Sequence, residues 1–369
     1  MALSPLNQRR WRNFKANRRA YWSLILFGVL YLLTLGAELI ANDRPLLVRY
    51  QGSWHTPFLS FYPETRFGGV LRTEATWRAP EVQCLIMTGG NAECENDTAA
   101  VMAELNEKGT VLGEPVQKGW ILWAPIPYRY STIVDTGGRA PAAPSARNLL
   151  GTDEASRDVL ARVIYGFRLS VTFALIVTVL NGVFGVAAGA VQGYFGGKTD
   201  LIFQRVIELW GSIPSIYVII ILTAIWAKSF WLMVFLLVLF GWTGLVGVVR
   251  AEFLRARNFE YVRAARALGV PDLQIMFRHM LPNAMVATLT MLPFMVTGTI
   301  GTLAMLDYLG FGLPLSAPSL GQLSRQAQAN LQSPHLAFVA FFTFAIMLTL
   351  LIFIFEGIRD AFDPRKTFR

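Results

Sequence analysis

The sequence predicts an all-α polytopic membrane protein with six transmembrane helices and a small mixed α/β domain inserted between the first two. Of its 369 residues, 54% are hydrophobic and only 15% are charged. Such a chain is too apolar for an ordinary soluble protein, and the lipid bilayer is its natural solvent. Six apolar runs are also long enough to span a membrane. They cover residues 21–40, 169–191, 207–226, 230–249, 284–306 and 336–356.

The distribution of Lys and Arg predicts the topology. Basic residues concentrate in four segments, namely 1–20, 192–205, 250–283 and 357–369. The connections around Lys228 and after Asp307 hold very few. Because positive charge is retained in the cytoplasm, the basic arm and the tail predict two cytoplasmic termini. The net charge of +9 then reflects topology, and nucleic acid is not expected as a partner. The first span, 21–41, is too long for a cleavable secretory signal.

Residues 42–150 form the inserted domain, which this topology places in the periplasm. Its strand-like and helical runs predict mixed secondary structure. They lie at 45–50, 98–107 and 120–130. The two cysteines, Cys84 and Cys94, could close a small disulfide loop in that oxidising compartment, and two unpaired thiols are the alternative. The spacing of His and Cys around them does not suit a metal site.

Residues 151–168 are predicted to form an amphipathic helix along the outer membrane surface. Thr152 can cap its N-terminus, and Asp153 and Glu154 lie at the favourable end of the helix dipole. Apolar residues then recur on one face, namely Val159, Leu160, Val163, Ile164 and Phe167. The alternative is that this segment is an exterior extension of the second span.

The core, residues 169–356, carries signals for close packing and for helix breaks. Three glycines recur every four residues in the second span, which aligns bare backbone on one helix face and predicts close packing with another helix. They are Gly185, Gly189 and Gly193. Pro214 and Pro293 remove backbone donors inside predicted spans, so kinks or broken turns are expected there.

The connection at 250–283 is too regular for a plain loop and predicts two short helices. Four residues of the first helix share one face, namely Tyr261, Ala264, Ala265 and Leu268. Gly269 is placed to end that helix in a left-handed conformation, and Pro271 and Asp272 start the second helix. The second helix is expected to end at Leu281-Pro282, just before the fifth span. Its apolar stripe comprises Leu273, Met276, Phe277 and Met280.

This connection resembles the coupling loop of ABC importer permeases, whose pattern is Glu-Ala-Ala, a Gly four residues after the second Ala, and a later Leu-Pro. The residues in register are Ala264, Ala265, Gly269, Leu281 and Pro282. Arg263 stands where the general pattern has Glu, and His279 stands where it favours Ile. Glu260 lies three residues earlier and is not assigned the role of the motif Glu. The resemblance implies that the loop inserts a short helix into a cleft on a soluble ATPase. The alternative is a helical hairpin that packs only on its own membrane domain.

The resemblance extends over most of the chain. The segments LGTDEASRDVL, GYFGGKTD and LDYLGFGLP resemble the oligopeptide and dipeptide permease family. IANDRPLLVRY and GWILWAPI resemble its Yej-type branch, which is associated with uptake of oligopeptides and the peptide antibiotic microcin C. This resemblance implies a non-catalytic permease subunit of the type I fold in the bacterial inner membrane, with no cofactor of its own. The implied partners are a second homologous permease, an ABC ATPase that binds ATP and Mg, and a periplasmic peptide-binding protein.

Three other classes of protein compete with this interpretation. Gly193–Thr199 ends like a phosphate-binding loop, but Gln192 stands where that motif needs its first Gly, so nucleotide binding is not expected. An ion-coupled transporter usually places ionisable groups deep in its spans, whereas Glu38, Glu208 and Glu356 lie near predicted ends. A membrane enzyme is the third, although the inserted domain shows no paired carboxylates, nucleophile elbow or metal cluster.

Polar residues within the spans are candidates for the translocation path. They are Asn181, Thr297 and Asp307, together with Thr290, Thr299 and Thr302. Asn181 and Thr297 equally suit hydrogen bonds between helices. Asp307 could meet the amino group of a peptide at the outer mouth, or it could lie at a solvated helix end.

Overall fold

The computed structural model describes residues 5–111, 114–116 and 118–362. Its helices are α1 (Pro5–Ala16), α2 (Arg18–Leu35), α3 (Ala37–Ile40), α4 (Pro80–Thr88), α5 (Thr98–Lys108), α6 (Val159–Phe195), α7 (Gly197–Gly211), α8 (Ser215–Ile225), α9 (Phe230–Gly241), α10 (Thr243–Ala256), α11 (Glu260–Ala267), α12 (Asp272–Gln274), α13 (Leu281–Leu309), α14 (Leu320–Ala329) and α15 (Pro334–Phe362). A π-helical stretch, Ile275–Met280, joins α12 to α13. The strands are β1 (Leu47–Tyr50), β2 (Ser53–His55), β3 (Thr110–Val111), β4 (Glu114–Pro115) and β5 (Trp120–Leu122).

The chain divides into two compact units. The inserted unit is Leu33–Tyr165, and the helical unit comprises the described residues on either side of it. In the described chain, four helical segments are long and apolar enough to cross a membrane, namely α2, α6, α12 with α13, and α15. The number is six if each of two bent pairs is one span: α7 with α8, bent by 64°, and α9 with α10, bent by 41°. The protein is therefore mostly helical, with four to six candidate spans and a small antiparallel sheet.

The two bent pairs have different origins. Pro214 lies in the break between α7 and α8, as its missing backbone donor predicts, whereas α13 continues through Pro293. The break between α9 and α10 contains no proline. It follows Gly241, where a Cβ atom would lie only 2.4 Å from the side-chain nitrogen of Asn181 in α6. Close approach of two helices therefore accompanies the second break, and local sequence does not signal it.

The predicted start of a helix at residue 151 is wrong, because α6 begins at Val159 and continues as one helix through the second predicted span. Thr152 accepts a hydrogen bond from a backbone amide ten residues earlier, at 2.9 Å. Asp153 accepts two backbone N–H bonds at 2.9 Å within its own loop. Asp158 caps α6 by accepting a bond from the backbone N–H of Ala161 at 2.8 Å. These side-chain bonds compete with helix formation in the segment before Val159. A location of the first turns of α6 at the membrane surface stays a prediction.

The inserted unit is built on an antiparallel sheet with the strand order β2–β1–β5. Val48 of β1 lies opposite His55 of β2 and Ile121 of β5. One face of the sheet is buried in an aromatic-rich core that includes Tyr50, Phe67, Trp77, Val82 and Ile86. The predicted strand at 120–130 is shorter in the structure, because β5 ends at Leu122 and the rest of this segment pairs at one isolated bridge, between Ile126 and Ala41.

A second core of the inserted unit surrounds a disulfide between Cys84 and Cys94. Cys84 lies in α4, and Cys94 lies in the 3₁₀ turn that follows it; both side chains are fully buried. Apolar residues from α4, α5 and β3 pack around the bond, namely Leu85, Val101, Leu105 and Val111. The disulfide therefore joins two elements that enter the same small core.

Replacing Cys84 and Cys94 together by serine is expected to destabilise the inserted unit by about 2–4 kcal/mol, because the unfolded chain regains the entropy of the open loop. The measurement is the denaturant midpoint for limited proteolysis of this unit in the full-length, detergent-solubilised protein. Reductant should lower the wild-type midpoint by a similar amount and leave the double variant unchanged. Equal midpoints for the wild type and the double variant in the absence of reductant would show that the disulfide does not contribute to stability.

His55 makes the inserted unit sensitive to pH. Its side chain is 5% exposed, and its ring centroid lies 5.1 Å from that of Tyr62 and 5.6 Å from that of Phe67. Burial, followed by the charge of Arg66, lowers the pKa of His55 below its ordinary value of 6.5. The unfolded chain therefore binds the proton more readily than the folded chain does. The stability that the folded state owes to a neutral His55 is complete above pH 6.5 and is lost as the pH falls through the folded-state pKa.

The inserted unit should consequently have a lower thermal midpoint for proteolysis at about pH 5.5 than at about pH 7.5. Replacing His55 by leucine should reduce this difference, while replacing His335, which lies in the helical unit, by asparagine should preserve it. A His55→Leu variant with the full wild-type pH dependence would assign the effect to another group.

Candidate coupling hairpin and membrane groove

The coupling hairpin, residues 257–283, contains α11, α12 and the start of α13. Gly269 follows α11 with φ of +73°, in the left-handed region that favours glycine, and the chain reverses there. The second helix does not end at Leu281-Pro282 as expected, because α12 continues through the π-helical stretch into α13. Pro282 falls in the first turn of α13, and the altered bonding of the preceding π stretch accommodates a residue that lacks an N–H.

One side of the hairpin packs against α6 and α10. Val262 is fully buried and Ala265 is 8% exposed. They belong to a cluster with Ala190, Tyr194, Val249, Phe253, Ala256, Ile275, Met276, Met280 and Ala284. Leu281 packs partly against the same cluster, His279 is half-buried, and Pro282 is exposed. The hairpin is therefore mounted on the helical unit through an apolar core.

The exposed side of α11, together with the turn that follows it, is here called the coupling face. Leu268 is 82% exposed there, whereas Leu273 and Phe277, which are 67% and 65% exposed, line an apolar pocket with α6 and α13. Other exposed residues of the predicted motif and its first helix include Glu260, Tyr261, Arg263, Ala264 and Gly269. The predicted stripe on the second helix is divided, since Met276 and Met280 enter the core whereas Leu273 and Phe277 line the apolar pocket. An exposed apolar side chain on the coupling face, such as that of Leu268, is typical of a surface that meets a partner.

Polar contacts fasten the hairpin to α6. The Tyr194 hydroxyl, near the end of α6, donates a hydrogen bond to Asp272 of α12. The guanidinium of Arg266 in α11 lies 4.8 Å from the centroid of the Tyr194 ring. Within the hairpin, Asn283 donates a bond to the Tyr261 hydroxyl at 3.1 Å. In the sequence, Tyr194 lay within the family-like segment GYFGGKTD and the overlapping Gly193–Thr199 segment, and neither signal singled it out. A displacement of the hairpin would therefore also displace the end of α6.

The three glycines of α6 lie against α10 and the residue before it. The nearest heavy atom to an added Cβ would be 2.7 Å away at Gly185, 2.7 Å away at Gly189 and 2.5 Å away at Gly193. At the first two the nearest atom is a backbone carbonyl oxygen. Arg250 of α10 adds a bidentate ion pair to Asp200 of α7, with distances of 2.5 and 2.6 Å. Small side chains thus bring two backbones together beside the hairpin.

A groove of about 510 Å³ lies in the helical unit between α6, α8, α9, α10 and α13. Its polar side chains are those of Asn181, Ser215, Thr299 and Thr302. All its other described lining residues are apolar or glycine, and methionines recur among them at 291, 295 and 305. The described chain contains no group of three or more His, Cys, Asp or Glu side chains that could hold a metal ion. The groove can therefore offer hydrogen bonds and adaptable apolar contacts.

The other three path candidates, Thr290, Thr297 and Asp307, do not line this groove. Thr290 lines a separate pocket with Asn283 and Arg359. Thr297 lies beside Glu356 and Arg359, and its hydroxyl donates to the Phe294 carbonyl at 3.0 Å. Asp307 is 3% exposed, so it is not at a solvated helix end. Its carboxylate accepts bonds from the Leu313 amide at 2.6 Å and the Ser319 hydroxyl at 2.5 Å. Asp307 therefore orders the connection between α13 and α14, and its oxygens are already used there.

Two family comparisons match this chain. Residues 181–368 match the family described as "Binding-protein-dependent transport system inner membrane component". Residues 4–53 match the "N-terminal TM domain of oligopeptide transport permease C". The first match contains the hairpin, all three close-packed glycines and most of the groove.

Individual relatives extend the similarity to nearly the whole chain. The chain is 52% identical over 365 residues to the inner membrane ABC transporter permease protein YejE of Escherichia coli, which covers 99% of this chain and 98% of the relative. It is 48% identical over 391 residues to the peptidoglycan transport system permease protein YejE of Agrobacterium fabrum, with coverage of 99% and 95%. It is 32% identical over 248 residues to the oligopeptide transport system permease protein OppC of Bacillus subtilis, with coverage of 66% and 80%.

Proposed function

This chain belongs to the binding-protein-dependent transport system inner membrane components, as an OppC-like ABC permease of the YejE type, and we propose that it forms half of a translocation path for oligopeptides and peptide-like compounds. It is a multi-pass protein of the inner membrane, and permeases of this family are non-catalytic. An ABC permease implies a partner ATPase. ATP and Mg are bound by that partner, and this chain carries no cofactor.

The coupling face carries this proposal. It presents Tyr261, Ala264 and Leu268 on a hairpin whose other side is held in the core of the helical unit. An exposed apolar face on a firmly mounted hairpin suits a surface that receives force from a soluble partner. We assign the ATPase to this face. The positions that match the coupling motif are then divided, with Ala264 toward the partner and Ala265 toward the core.

The proposed mechanism transmits ATPase closure through three contacts in series. Closure of two ATPase domains displaces the coupling face. The bond from Tyr194 to Asp272 carries that displacement to α6, and the close packing at Gly189 carries it to α10. The break between α9 and α10 borders the groove, so bending there opens the groove to one side of the membrane and closes it to the other.

The proposed topology has six spans in the type I arrangement, with each bent helix pair crossing once. Both termini and the coupling hairpin are then cytoplasmic, and the inserted unit is periplasmic. A second, homologous permease covers the groove of this chain and completes the path.

A periplasmic peptide-binding protein is proposed to meet the exposed face of the β2–β1–β5 sheet. Trp54 is 57% exposed and Trp120 is 46% exposed, and both lie opposite Arg49 in the sheet. The two indole rings are 6.1 Å apart between centroids. Exposed Trp beside Arg is typical of residues that contribute strongly to protein interfaces.

The groove supports a peptide substrate of variable side-chain composition. No charged residue is among its described lining, so peptides of either charge meet the same surface. Methionines adapt their shape to different side chains. We include oligopeptides and peptide antibiotics of the microcin C type among the proposed substrates.

The proposal is tested by tagging the C-terminus, extracting membranes in a mild detergent and identifying proteins that copurify in stoichiometric amount. The expected partners are an ABC ATPase and a second permease. The purified complex, reconstituted with its binding protein, should then take up labelled oligopeptides only when ATP is present. Recovery of this chain alone after gentle cross-linking, or peptide uptake driven by an ion gradient without ATP, would contradict the proposal.

A further inference from the structure

We infer that the carboxamide of Asn181 is a binding group for the main-chain amide of a peptide in transit, an inference that rests on the proposed function. Asn181 lies in α6, within its membrane-spanning part, and lines the groove of about 510 Å³. Its side chain is 4% exposed, and its Oδ1 atom is buried without a hydrogen-bond partner among the described residues. A buried amide normally has partners. Asn181 lines the groove, so a bound peptide there could supply the missing hydrogen-bond donor.

The surroundings of Asn181 explain why no group of the described chain donates to its Oδ1 atom. Its neighbours along the groove include Val177, Ile219, Leu237 and Leu245, which offer no side-chain donor or acceptor. Gly241 brings backbone against the carboxamide, since an added Cβ there would lie 2.4 Å from the side-chain nitrogen. The amide is therefore held in place by packing and keeps its hydrogen-bonding capacity for another molecule.

The two helix breaks also lie at this groove. Ser215 begins α8 directly after the break at Pro214, and Gly241 ends α9 at the second break. Both line the groove with Asn181. Irregular backbone inside a membrane is tolerated mainly where it is covered by protein or lines a hydrated cavity. Two interrupted helices and an unsatisfied carboxamide thus converge on one cavity that has no charged side chain in its described lining.

This chemistry selects an uncharged group that both donates and accepts. A carboxamide pairs with a peptide bond because each has one carbonyl acceptor and N–H donors. The peptide bond is common to all peptides, whereas side chains vary. Asn181 would therefore recognise the main chain and leave the side chains to the methionine-lined part of the groove. The close approach at Gly241 also ties access to the carboxamide to bending between α9 and α10.

The test compares a labelled alanine tetrapeptide with its depsipeptide analogue, in which one ester replaces one internal amide. The ester lacks the N–H and is a weaker acceptor. Uptake is measured in proteoliposomes that contain the complete complex, with the same binding protein in every sample. The wild type should prefer the amide peptide. Asn181→Leu should lower amide-peptide uptake about five- to tenfold and remove the preference, because one hydrogen bond to the peptide is lost. Asn181→Ser should restore part of the preference.

Thr178→Val is the matched control. Thr178 lies on the same helix, and its hydroxyl is also buried without a partner among the described residues, but it lines a different, apolar pocket. This variant should transport both compounds as the wild type does. Copurification of the ATPase should be unchanged in all variants. The inference is overturned if Asn181→Leu retains the wild-type preference for the amide peptide. It is also overturned if Thr178→Val loses as much of that preference as Asn181→Leu does. Absence of ATP-dependent peptide uptake by the wild type would instead overturn the proposed function, and this inference with it.

Discussion

Replacing Gly269 by valine is expected to lower peptide uptake by about tenfold or more while leaving membrane insertion intact, because the left-handed turn of the hairpin disfavours a β-branched residue. Gly269 has φ of +73°, and no heavy atom lies within 4 Å of an added Cβ. The penalty therefore comes from the backbone and not from a collision. Relaxation of the turn would reorient α11 relative to α12 and misplace the coupling face.

The measurements are ATP-dependent peptide uptake and ATP hydrolysis by the same purified complex. Hydrolysis should persist at a substantial rate while uptake falls, since the ATPase sites lie in the partner. Gly269→Asn is the matched control, because asparagine adopts the left-handed region more readily than other non-glycine residues, and it should retain most of the uptake. Normal transport by the valine variant would show that the left-handed turn at Gly269 is not required for coupling.

Replacing Gly189 by valine should have the largest effect on assembly of the helical unit. An added Cβ would lie 2.7 Å from the Val246 carbonyl oxygen and 2.8 Å from the Val249 Cβ. Backbone on both helices cannot yield as a flexible side chain can, so α6 and α10 must separate. We expect a loss of about 3 kcal/mol or more of stability, at the upper end of the range for overpacked sites.

The loss would appear as a lower thermal midpoint and a reduced monodisperse fraction of the complex in detergent. Gly182→Val provides the comparison on the same helix, because the nearest atom to its Cβ is a Leu292 methyl group at 3.7 Å, an ordinary contact. That variant should keep most of the wild-type stability. Equal midpoints for the Gly189 and Gly182 variants would argue against close packing as the role of the glycines.

Elements with strong local signals agree closely between sequence and structure. The helix predicted at 98–107 is α5, Thr98–Lys108. Asp97 accepts a hydrogen bond from the Ala100 amide at its start, and Gly109 has φ of +70° at its end. Both boundaries depend on residues inside or next to the helix, so a short window of sequence contains the necessary information. The turn after α11 likewise depends on one local residue, Gly269, and could be predicted from the sequence.

Elements whose boundaries or burial depend on distant residues could not be predicted from a short window of sequence. The start of α6 depends on Asp153 and Asp158, whose side chains organise the preceding loop, and the same acidic residues are compatible with a helix N-terminus. The buried position of Asp307 depends on Ser319, twelve residues away in the chain. A charged residue near the end of a predicted span is ordinarily solvated, and only the folded connection supplies the donors that bury it.

The sequence by itself determined the membrane class, the approximate spans, the coupling motif and the spacing of the three close-packed glycines. The membrane class, the approximate spans and the glycine spacing depend on composition and on periodicity along one chain, whereas the coupling motif was recognised by its resemblance to a family pattern. Only the tertiary structure decided which polar residues share a cavity: Asn181 lines the groove, whereas Thr297 and Asp307 do not. The physical reason is that lipid is as apolar as a protein core. In a spanning helix, hydrophobic periodicity therefore cannot distinguish the face toward lipid from the face toward protein, and the neighbours of each side chain emerge only when the helices pack.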